Sequence, residues 1–326
     1  MYRRFLTRGM LAYAGFALGL AGPAAAQSDY PSKPVQIVVA VSAGGSIDAV
    51  ARNLAEYLSK AMGEPFIVNN RPGASGIIGT DHVARSAPDG YTLSMAPDAF
   101  IAANVSMFAN LPYDPLKDFA PVSMVVDQPL VLVVNQDSPF KSVQDLVKYA
   151  KAHPGTVTYG SGGEGSPHHF SGISLGELAD IELLHVPYKG GAPAITDLLG
   201  GHLGMIFSPL PEALPHVRGG KLRALAVTSP QRVAQLPDVP TLTESGVPMA
   251  LTAWIALVAP AGTPPAVVSK LNQEVNKALT GPLRQTLEEV GFIVSPSTPE
   301  QLGQAIRDAI QSYGALAKAA GIKPQQ

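Results

Sequence analysis

The sequence predicts an α/β protein of two lobes, each with a mostly parallel sheet flanked by helices. Strand-like and helix-like segments alternate along the chain, which is typical of parallel sheets. The alternation comes in two blocks, which predicts two lobes. The chain has 326 residues, a length that suits one large or two medium domains.

The first 26 residues have the pattern of an export signal. Arg3, Arg4 and Arg8 form a basic region, residues 10–21 are apolar, and three alanines precede Gln27. The apolar run is shorter than the roughly 20 residues that span a bilayer, so a cleaved signal is favoured over a membrane anchor. The Arg3-Arg4 pair matches the twin-arginine signal imperfectly, which leaves the export route open.

The composition of the chain excludes several classes of protein. There is no cysteine, which excludes disulfides, cysteine nucleophiles, thiolate metal sites and lipid attachment at the signal junction. The chain has 23 basic and 25 acidic residues, and loss of the signal removes three of the arginines. A mildly acidic chain without a basic run is a poor nucleic-acid binder, so we expect an exported, soluble protein that binds no nucleic acid.

The first block of alternating segments begins with a β-branched run at residues 35–41, which fits a strand covered on both faces. Residues 46–62 then carry apolar side chains at helical spacing. The block continues with a strand, a turn-rich loop, a helix and a further strand, at residues 65–68, 69–76, 77–85 and 91–95.

The second block repeats this pattern from residue 130. Its strands are expected at 130–134, 156–160, 183–186, 205–207 and 222–228, and its helices at 142–152, 168–178 and 192–199. A strand at 254–258 and a helical C-terminal part follow. Ser142, Thr263 and Thr298 are predicted as helix caps, the last two before a proline at the first helical position.

This order of elements predicts how the lobes share the chain. Residues 1–26 are the signal, residues 27–128 and 251–326 form lobe 1, and residues 129–250 form lobe 2. The chain therefore leaves lobe 1, builds lobe 2 and returns.

A glycine-rich loop, Ser42-Ala43-Gly44-Gly45-Ser46, joins the first strand to the first helix, and Asp48 follows in the first helical turn. Glycines let the backbone approach a ligand closely, and the free amides of a helix start attract an anion. The alternative is a tight turn without a ligand, in which Asp48 bonds nearby amides. We favour the binding role, because ligands of open α/β sheets sit at such loops.

A second glycine-rich loop follows the strand at 156–160. Residues 160–165 match the dinucleotide fingerprint G-x-G-x-x-G. Its mid-chain position, the export of the protein and the lack of an acid at the end of the next strand weigh against a dinucleotide. We predict instead a second anion-binding loop that faces the first across a cleft. Its candidate ligand-binding residues are Ser161, Gly162, Gly163, Gly165 and Ser166.

Four further residues are candidates for the ligand site. His168 follows the second glycine loop and is placed to contact a carboxylate, whereas His169 is interpreted as a helix-start or surface residue. Neighbours in a helix point about 100° apart, so the two histidines do not chelate one ion. Phe207 and Ser208 end a strand, and Asp98 completes the set. No pattern in the sequence indicates a metal site or a cofactor.

Signatures of enzymes are absent from the sequence. It contains no G-x-S-x-G elbow, no Walker loop and no H-E-x-x-H motif, so we expect a protein without catalytic activity. An exported hydrolase that pairs Ser161 or Ser46 with a histidine remains the lesser alternative.

Eight strings spread over the mature chain form a specific set by their order and number. They are residues 43–48 with Ala51-Arg52, 70–73, 88–93, 118–122, 159–161, 185–190, 222–228 and 237–241. Taken together, they resemble the tripartite tricarboxylate transporter substrate-binding family, also called Bug proteins. The resemblance covers nearly all of the mature length.

This resemblance implies a Venus flytrap of the type II periplasmic binding protein kind, which closes two lobes on a ligand. It implies a carboxylate held by backbone amides and waters at residues 42–46 and 161–166. It also implies delivery to a two-component, ion-driven membrane permease pair. We therefore expect a monomeric, cofactor-free solute-binding protein of the periplasm. A sensing module for a membrane receptor is the alternative that shares this fold and pocket.

Two departures from the family pattern affect the predicted pocket. Ala40-Val41 replaces a common Pro-Phe, and Ser208 stands where the family often has an Asp after Phe207. The missing acid disfavours an amine-bearing ligand, because an acid can pair with an ammonium. The sequence therefore favours a di- or tricarboxylate or an aromatic carboxylate.

Overall fold

The computed structural model describes residues 30–319 and 321–325, so the predicted signal at residues 1–26 lies outside the described residues. Strands and helices alternate along the described chain. The strands are β1 (Val35–Val39), β2 (Phe66–Asn70), β3 (Thr92–Pro97), β4 (Phe119–Asn135), β5 (Val157–Ser161), β6 (Leu183–Pro187), β7 (Met205–Pro209), β8 (Leu222–Val227), β9 (Thr252–Pro260) and β10 (Ile293–Val294).

The helices lie between and after these strands. They are α1 (Ser46–Met62), α2 (Ile77–Ala84), α3 (Asn104–Met107), α4 (Val143–Ala152), α5 (Pro167–Ala179), α6 (Gly191–Leu199), α7 (Leu210–Arg218), α8 (Pro265–Thr280), α9 (Pro282–Glu289) and α10 (Pro299–Ala319). Among the residues described here, no helix is both long and apolar enough to cross a membrane.

The strands join in one order, β2-β1-β3-β9-β4-β7-β5-β6, with β8 and β10 paired to β4 outside this path. Strand β1 pairs in parallel with β2 and β3, and β5 pairs in parallel with β6 and β7. Antiparallel pairs of β9 and β4 join these two groups. The predicted parallel pairing therefore holds for the outer groups, whereas the centre is antiparallel because β4 and β9 are long strands outside the βα units.

Strand β4 belongs to both groups of strands. Its residues 119–129 pair with β9, and residues 130–135 pair with β7 and β8. The sequence predicts only the second half, because prolines interrupt the apolar pattern of the first. Register shifts beside Pro121 and Met124 accommodate this interruption. The change of partner falls next to the predicted lobe boundary at residue 128, and the assignment of residues to lobes stays a prediction.

Apolar side chains cover both faces of the second half of β4. Leu130, Leu132 and Val134 pack into one cluster of buried residues, and Val131 and Val133 pack into another. Successive residues of a strand point to opposite faces, so a strand buried on both faces has a continuous apolar sequence. This two-sided burial explains why the sequence predicted this strand correctly.

Two of the three predicted helix caps are confirmed. The hydroxyls of Ser142 and Thr298 accept hydrogen bonds from the amides three residues on, at 3.1 and 3.2 Å. The prediction for α8 is wrong by one residue, since Pro264 is the N-cap and Pro265 is the first helical residue. The residue before a proline is disfavoured in helical conformation, so Pro265 keeps Pro264 outside the helix. Thr263 donates instead to the carbonyl of Pro260.

Candidate ligand-binding cleft

The first glycine loop, residues 42–46, leads from the end of β1 into α1. Residues 42–45 are exposed, and a Cβ on Gly44 or Gly45 would meet no atom within 4 Å. Gly44 has a φ of 94°, which favours glycine. Gly45 is the N-cap of α1 and provides no side-chain hydrogen bond to the first amides. The loop therefore presents an open backbone and an uncapped helix start.

Asp48 lies beneath this loop and does not belong to the wall of the cavity described below. It is 3% exposed, and it accepts hydrogen bonds from Gly44 N, Arg52 Nε and Asn70 Nδ2, each at 2.9 Å. The hydrogen bond from Arg52 is the main cause that lowers the pKa of Asp48 to about 2. Asp48 is therefore an ionised residue that Arg52 neutralises, and it holds the loop in place.

The loop forms one wall of a cavity of about 870 Å³. The other walls come from the starts of α6 and α7 and from residues that precede β10. Outside the loop, the lining includes Lys189, Gly190, Gly191, Glu212, Val290 and Phe292. The volume lies within the range of small-molecule sites.

A second uncapped helix start opens onto this cavity. Gly190, with a φ of 110°, is the N-cap of α6 and provides no side-chain hydrogen bond. The amides of the first helical turn have no partner within the helix, and the helix dipole adds a partial positive charge there. Two helix starts at one cavity attract an anion such as a carboxylate.

The cavity also contains ionisable side chains. Glu212 lies in the first turn of α7 and is half-buried, and burial raises the pKa of its carboxyl. Lys189 is exposed just before α6, and His216 follows one turn after Glu212. The lining thus combines an acid with groups that attract anions.

The second glycine loop, residues 160–166, packs against the start of α6 and does not line this cavity. A Cβ on Gly162 would lie 3.4 Å from backbone atoms of Gly190 and Gly191. Gly163 and Gly165 have φ values of 111° and 76°, which favour glycine. These glycines accommodate close packing against protein atoms, where the sequence predicted contact with a ligand.

The two serines of this loop use their hydroxyls within its immediate surroundings. Ser161 is fully buried; its Oγ lies 2.7 Å from His185 Nε2 and accepts a hydrogen bond from Gly163 N at 3.0 Å. Ser166 caps α5, because its Oγ accepts from His169 N at 3.3 Å while donating to Gly163 O at 2.6 Å. Both side chains therefore fix the loop against α5 and β6.

Histidines pack around the same loop. His169 lies at a helix start, as predicted, but it is buried; its ring stacks on His185 with centroids 4.2 Å apart, and its Nδ1 accepts from Gly165 N at 3.1 Å. His168 is 7% exposed, and neither of its ring nitrogens has a hydrogen-bond partner among the described residues. Burial lowers the pKa of both His168 and His169 to about 4.

Three further candidates lie in the protein core. Asp98 accepts hydrogen bonds from Tyr313 Oη at 2.5 Å and from Ala99 N at 2.9 Å, and burial raises its pKa to about 7. Phe207 and Ser208 are fully buried on β7. None of the three lines the cavity at the first glycine loop. Strand β7 pairs on both sides, with β4 and β5, which keeps its end in the interior.

The candidates drawn from the sequence omit several residues that line the cavity, among them Gly191, Glu212 and Phe292. Gly191 had a signal, because a glycine pair precedes the predicted helix at 192–199 as Gly44-Gly45 precedes α1. Glu212 had none, since a single acid in a helix is usually a solvated charge. Phe292 supplies an aromatic side chain from a distant part of the chain, which no local pattern near the glycine loop could have indicated.

The described residues form no cluster that could bind a metal ion. Throughout residues 30–319 and 321–325, no group of three or more histidine, aspartate or glutamate side chains is placed to hold a metal ion.

Comparisons with known proteins show the family of this chain. Residues 50–322 match the TctC family, described as the tripartite tricarboxylate transporter family receptor. The chain is 39% identical to Protein BugT of Bordetella pertussis over 312 residues, which cover 94% of each protein.

Solved structures extend the similarity to the fold. The structure of Rpa4515 of R. palustris with adipate is 35% identical, with a TM-score of 0.84 over 91% of this chain and 100% of that one. The periplasmic binding protein BugD is 36% identical, with a TM-score of 0.80 over 91% and 100%. The predicted fold class, a two-lobed α/β binding protein of the periplasmic type, is confirmed. This chain belongs to the tripartite tricarboxylate transporter receptors, the family of the Bug solute-binding proteins.

Proposed function

We propose that this chain is a periplasmic solute-binding protein that captures a small carboxylate and passes it to a membrane permease pair of the tripartite tricarboxylate type. One observation carries the proposal, which is that the uncapped starts of α1 and α6 open onto one cavity. Each start carries roughly half a positive charge, and its free amides suit the oxygens of a carboxylate. The adipate bound by Rpa4515 supports the same ligand class.

The proposal includes export of the chain to the periplasm. We expect cleavage of residues 1–26 on export, and a mature protein without a lipid anchor because the sequence has no cysteine. We expect the mature protein to be a monomer that needs no cofactor and binds no nucleic acid.

Lobe closure is the proposed mechanism of capture. In the predicted division, the first glycine loop belongs to lobe 1, and the starts of α6 and α7 belong to lobe 2. A carboxylate that contacts both sides favours the closed state by its higher affinity for that state. The permease would then recognise the closed surface.

A ligand screen on the refolded mature chain tests the proposal. Di-, tri- and aromatic carboxylates, the classes favoured by the sequence, are compared with amino acids and nicotinamides by thermal unfolding. A ligand at 100 times its Kd adds about 2.7 kcal/mol to the free energy of unfolding. We expect a carboxylate to raise the midpoint, and stabilisation by a nicotinamide alone would contradict the proposal.

The variant Gly45→Val locates the site, because it adds an apolar side chain to the cavity where no atom lies within 4 Å. We expect its carboxylate affinity to fall by about tenfold or more, since the added side chain blocks the amides of α1. Ala109→Val, at an exposed position outside the cavity, is the matched control and should bind as the original chain does. Equal affinity of Gly45→Val and Ala109→Val would place the ligand elsewhere.

The hydrolase alternative has one observation in its favour, since Ser161 Oγ and His185 Nε2 lie 2.7 Å apart. That spacing fits a nucleophile and its base. Ser161 is fully buried, however, and its hydroxyl also bonds Gly163, so we assign the pair to loop structure. Turnover of carboxylic esters by the purified protein, abolished in Ser161→Ala, would favour the hydrolase.

A further inference from the structure

A half-buried acid without a partner stands in the wall of the cleft. Glu212 lies in the first turn of α7 and lines the same cavity as the first glycine loop. Among the described residues, its carboxylate accepts no hydrogen bond and forms no ion pair. Asp48, the acid beneath the first glycine loop, lies outside the cavity wall and is already bonded to Arg52 and Asn70. Glu212 is therefore the acid of this wall that is available to a ligand.

His168 lies close to Glu212, but it does not itself line the cavity. A Cβ added to Gly191 would meet Glu212 Oε2 at 2.8 Å and His168 Nε2 at 3.0 Å. The two side chains thus converge on Gly191, a residue that lines the cavity. Both ring nitrogens of His168 lack a partner although the residue is 7% exposed. Buried polar groups are normally hydrogen-bonded, so the unpaired carboxylate of Glu212 in the wall indicates a polar contact that a ligand completes, and the unpaired imidazole of His168 lies just behind it.

The charge of the cavity indicates what kind of ligand completes them. The helix starts at Gly45 and Gly190 attract a carboxylate, and Glu212 places a negative charge in the same cavity. A second carboxylate on the ligand would meet this charge in a partly buried place, where repulsion between like charges is stronger than in water. Lys189 is exposed and solvated, which weakens its ability to offset that repulsion.

We propose that Glu212 is the residue that sets ligand specificity, and that it selects carboxylates which also carry a protonated amine. The inference rests on the proposed function, because the carboxylate end of the ligand uses the two helix starts. His168 lies beside this site, since its Nε2 and Glu212 Oε2 both approach Gly191. This corrects the preference drawn from Ser208, since the acid missing at the end of β7 is supplied four residues later from α7.

A series of ligands with matched chain length tests this specificity. Alkanoates, dicarboxylates and ω-amino carboxylates of three to eight carbons, for example hexanoate, adipate and 6-aminohexanoate, are titrated into the refolded mature chain by calorimetry. At the best length, we expect the amino carboxylate to bind about tenfold or more tightly than either of its partners, because a hydrogen bond to a charged group is worth that much.

The variant Glu212→Gln removes the charge and keeps the size of the side chain. We expect it to lose the tenfold advantage of the amino carboxylate and to bind the dicarboxylate at least as tightly as the original chain does. Lys189→Gln changes a charge in the same cavity, and this variant should still bind the amino carboxylate more tightly than the dicarboxylate. The free energy of unfolding of each variant without ligand shows that its fold is intact.

The outcomes separate this inference from the proposed function. Tighter binding of the dicarboxylate by the original chain, or an unchanged preference in Glu212→Gln, would overturn the role of Glu212 while the carboxylate site stands. Absence of binding by every carboxylate in this series and by the tri- and aromatic carboxylates of the earlier screen would overturn the proposed function, and the role of Glu212 with it. His168→Asn should narrow the preference without reversing it, and an unchanged preference there would remove His168 from the account.

Discussion

The two glycine loops have similar sequences but different surroundings in the folded protein. The loop at residues 42–46 is exposed, and its glycine Cβ positions face empty space. The loop at residues 160–166 packs against the start of α6, and its serines bond within its own neighbourhood. A glycine-rich βα loop therefore shows that something approaches the backbone closely, but whether that is a ligand or another part of the protein depends on contacts distant in sequence.

The difference also concerns ionisable groups. The first loop is supported by an ion pair, Asp48 with Arg52, at the protein surface. The second loop is surrounded by buried neutral histidines, of which His169 bonds the loop directly. An ion pair stabilises the first loop, which is exposed, and buried neutral histidines stabilise the second loop, which packs against protein. Because these groups titrate at different pH values, acid should affect the two loops in different ranges of pH.

The largest effect that we predict is a loss of stability in mild acid caused by the second loop. The pKa of His168 and of His169 is about 4 in the folded chain and 6.5 in the unfolded chain. Below pH 6.5 the unfolded chain binds protons that the folded chain does not. The free energy of unfolding should therefore fall, by about 1.4 kcal/mol per pH unit for each histidine, until pH 4.

Urea unfolding between pH 4.5 and 6.5 measures this slope. His169→Asn keeps an acceptor for Gly165 N and should reduce the slope by one proton. Asp98 opposes the histidines, because its pKa is raised from 3.8 to about 7 and the folded chain holds its proton in this range. Asp98→Asn should therefore steepen the slope. A His169→Asn variant with the slope of the original chain would refute the assignment.

A second prediction compares one substitution in both loops. Gly162→Val forces methyl groups toward the backbone of Gly190 and Gly191, which lies 3.4 Å from the first added carbon, and should cost about 1–3 kcal/mol of stability. Gly45→Val meets no such contact and should cost less than about 1 kcal/mol, for the loss of a favoured N-cap residue. Equal losses in urea unfolding would show that the two loops are packed alike.

A third prediction compares the serines. Ser161→Ala leaves Gly163 N and His185 Nε2 without their partner in a buried place, which should cost about 1–3 kcal/mol. Ser42→Ala, in the exposed loop, should change the free energy of unfolding by less than about 0.5 kcal/mol. Thermal or urea unfolding measures the loss of stability in each variant. A clear loss in Ser42→Ala would reveal a packing role for the first loop.

The sequence predicted those elements that carry their own local signal. The second half of β4 is a continuous apolar run because both of its faces are buried, and Val35–Val39 is apolar except at the exposed Gln36. Ser142 and Thr298 were recognisable as caps because a cap acts over three residues. The first half of β4 was missed, since Pro121 and Pro129 interrupt its apolar pattern and the pairing with β9 that makes it a strand is not visible in the local sequence.

The candidate site was predictable to the same extent. The open backbone at Gly44 and Gly45 follows from a glycine pair between a strand and a helix. The convergence of Glu212 and His168 on Gly191 does not, because it brings together the starts of α5, α6 and α7. Burial of His169 and Ser208 likewise depends on which strands and helices cover them. These relations arise from packing between segments, and periodicity and motifs do not encode them.

The smallest loss that we predict for a side chain with a structural role belongs to the support of the first loop. Asp48→Asn removes the ion pair with Arg52, and because Arg52 is half-exposed, solvent limits the loss to about 1 kcal/mol at neutral pH. The pKa of Asp48 is about 2 in the folded chain and 3.8 unfolded, so its stabilising contribution is complete above pH 3.8 and is lost as the pH falls toward 2. Urea unfolding at pH 7 and pH 3 should therefore show a smaller difference between Asp48→Asn and the original chain at pH 3. The slope between pH 4.5 and 6.5 should stay that of the original chain, because Asp48 does not titrate there. A changed slope in that range would mean that the two loops are coupled rather than independent, and the contrast between them would then have to be explained by one shared packing unit.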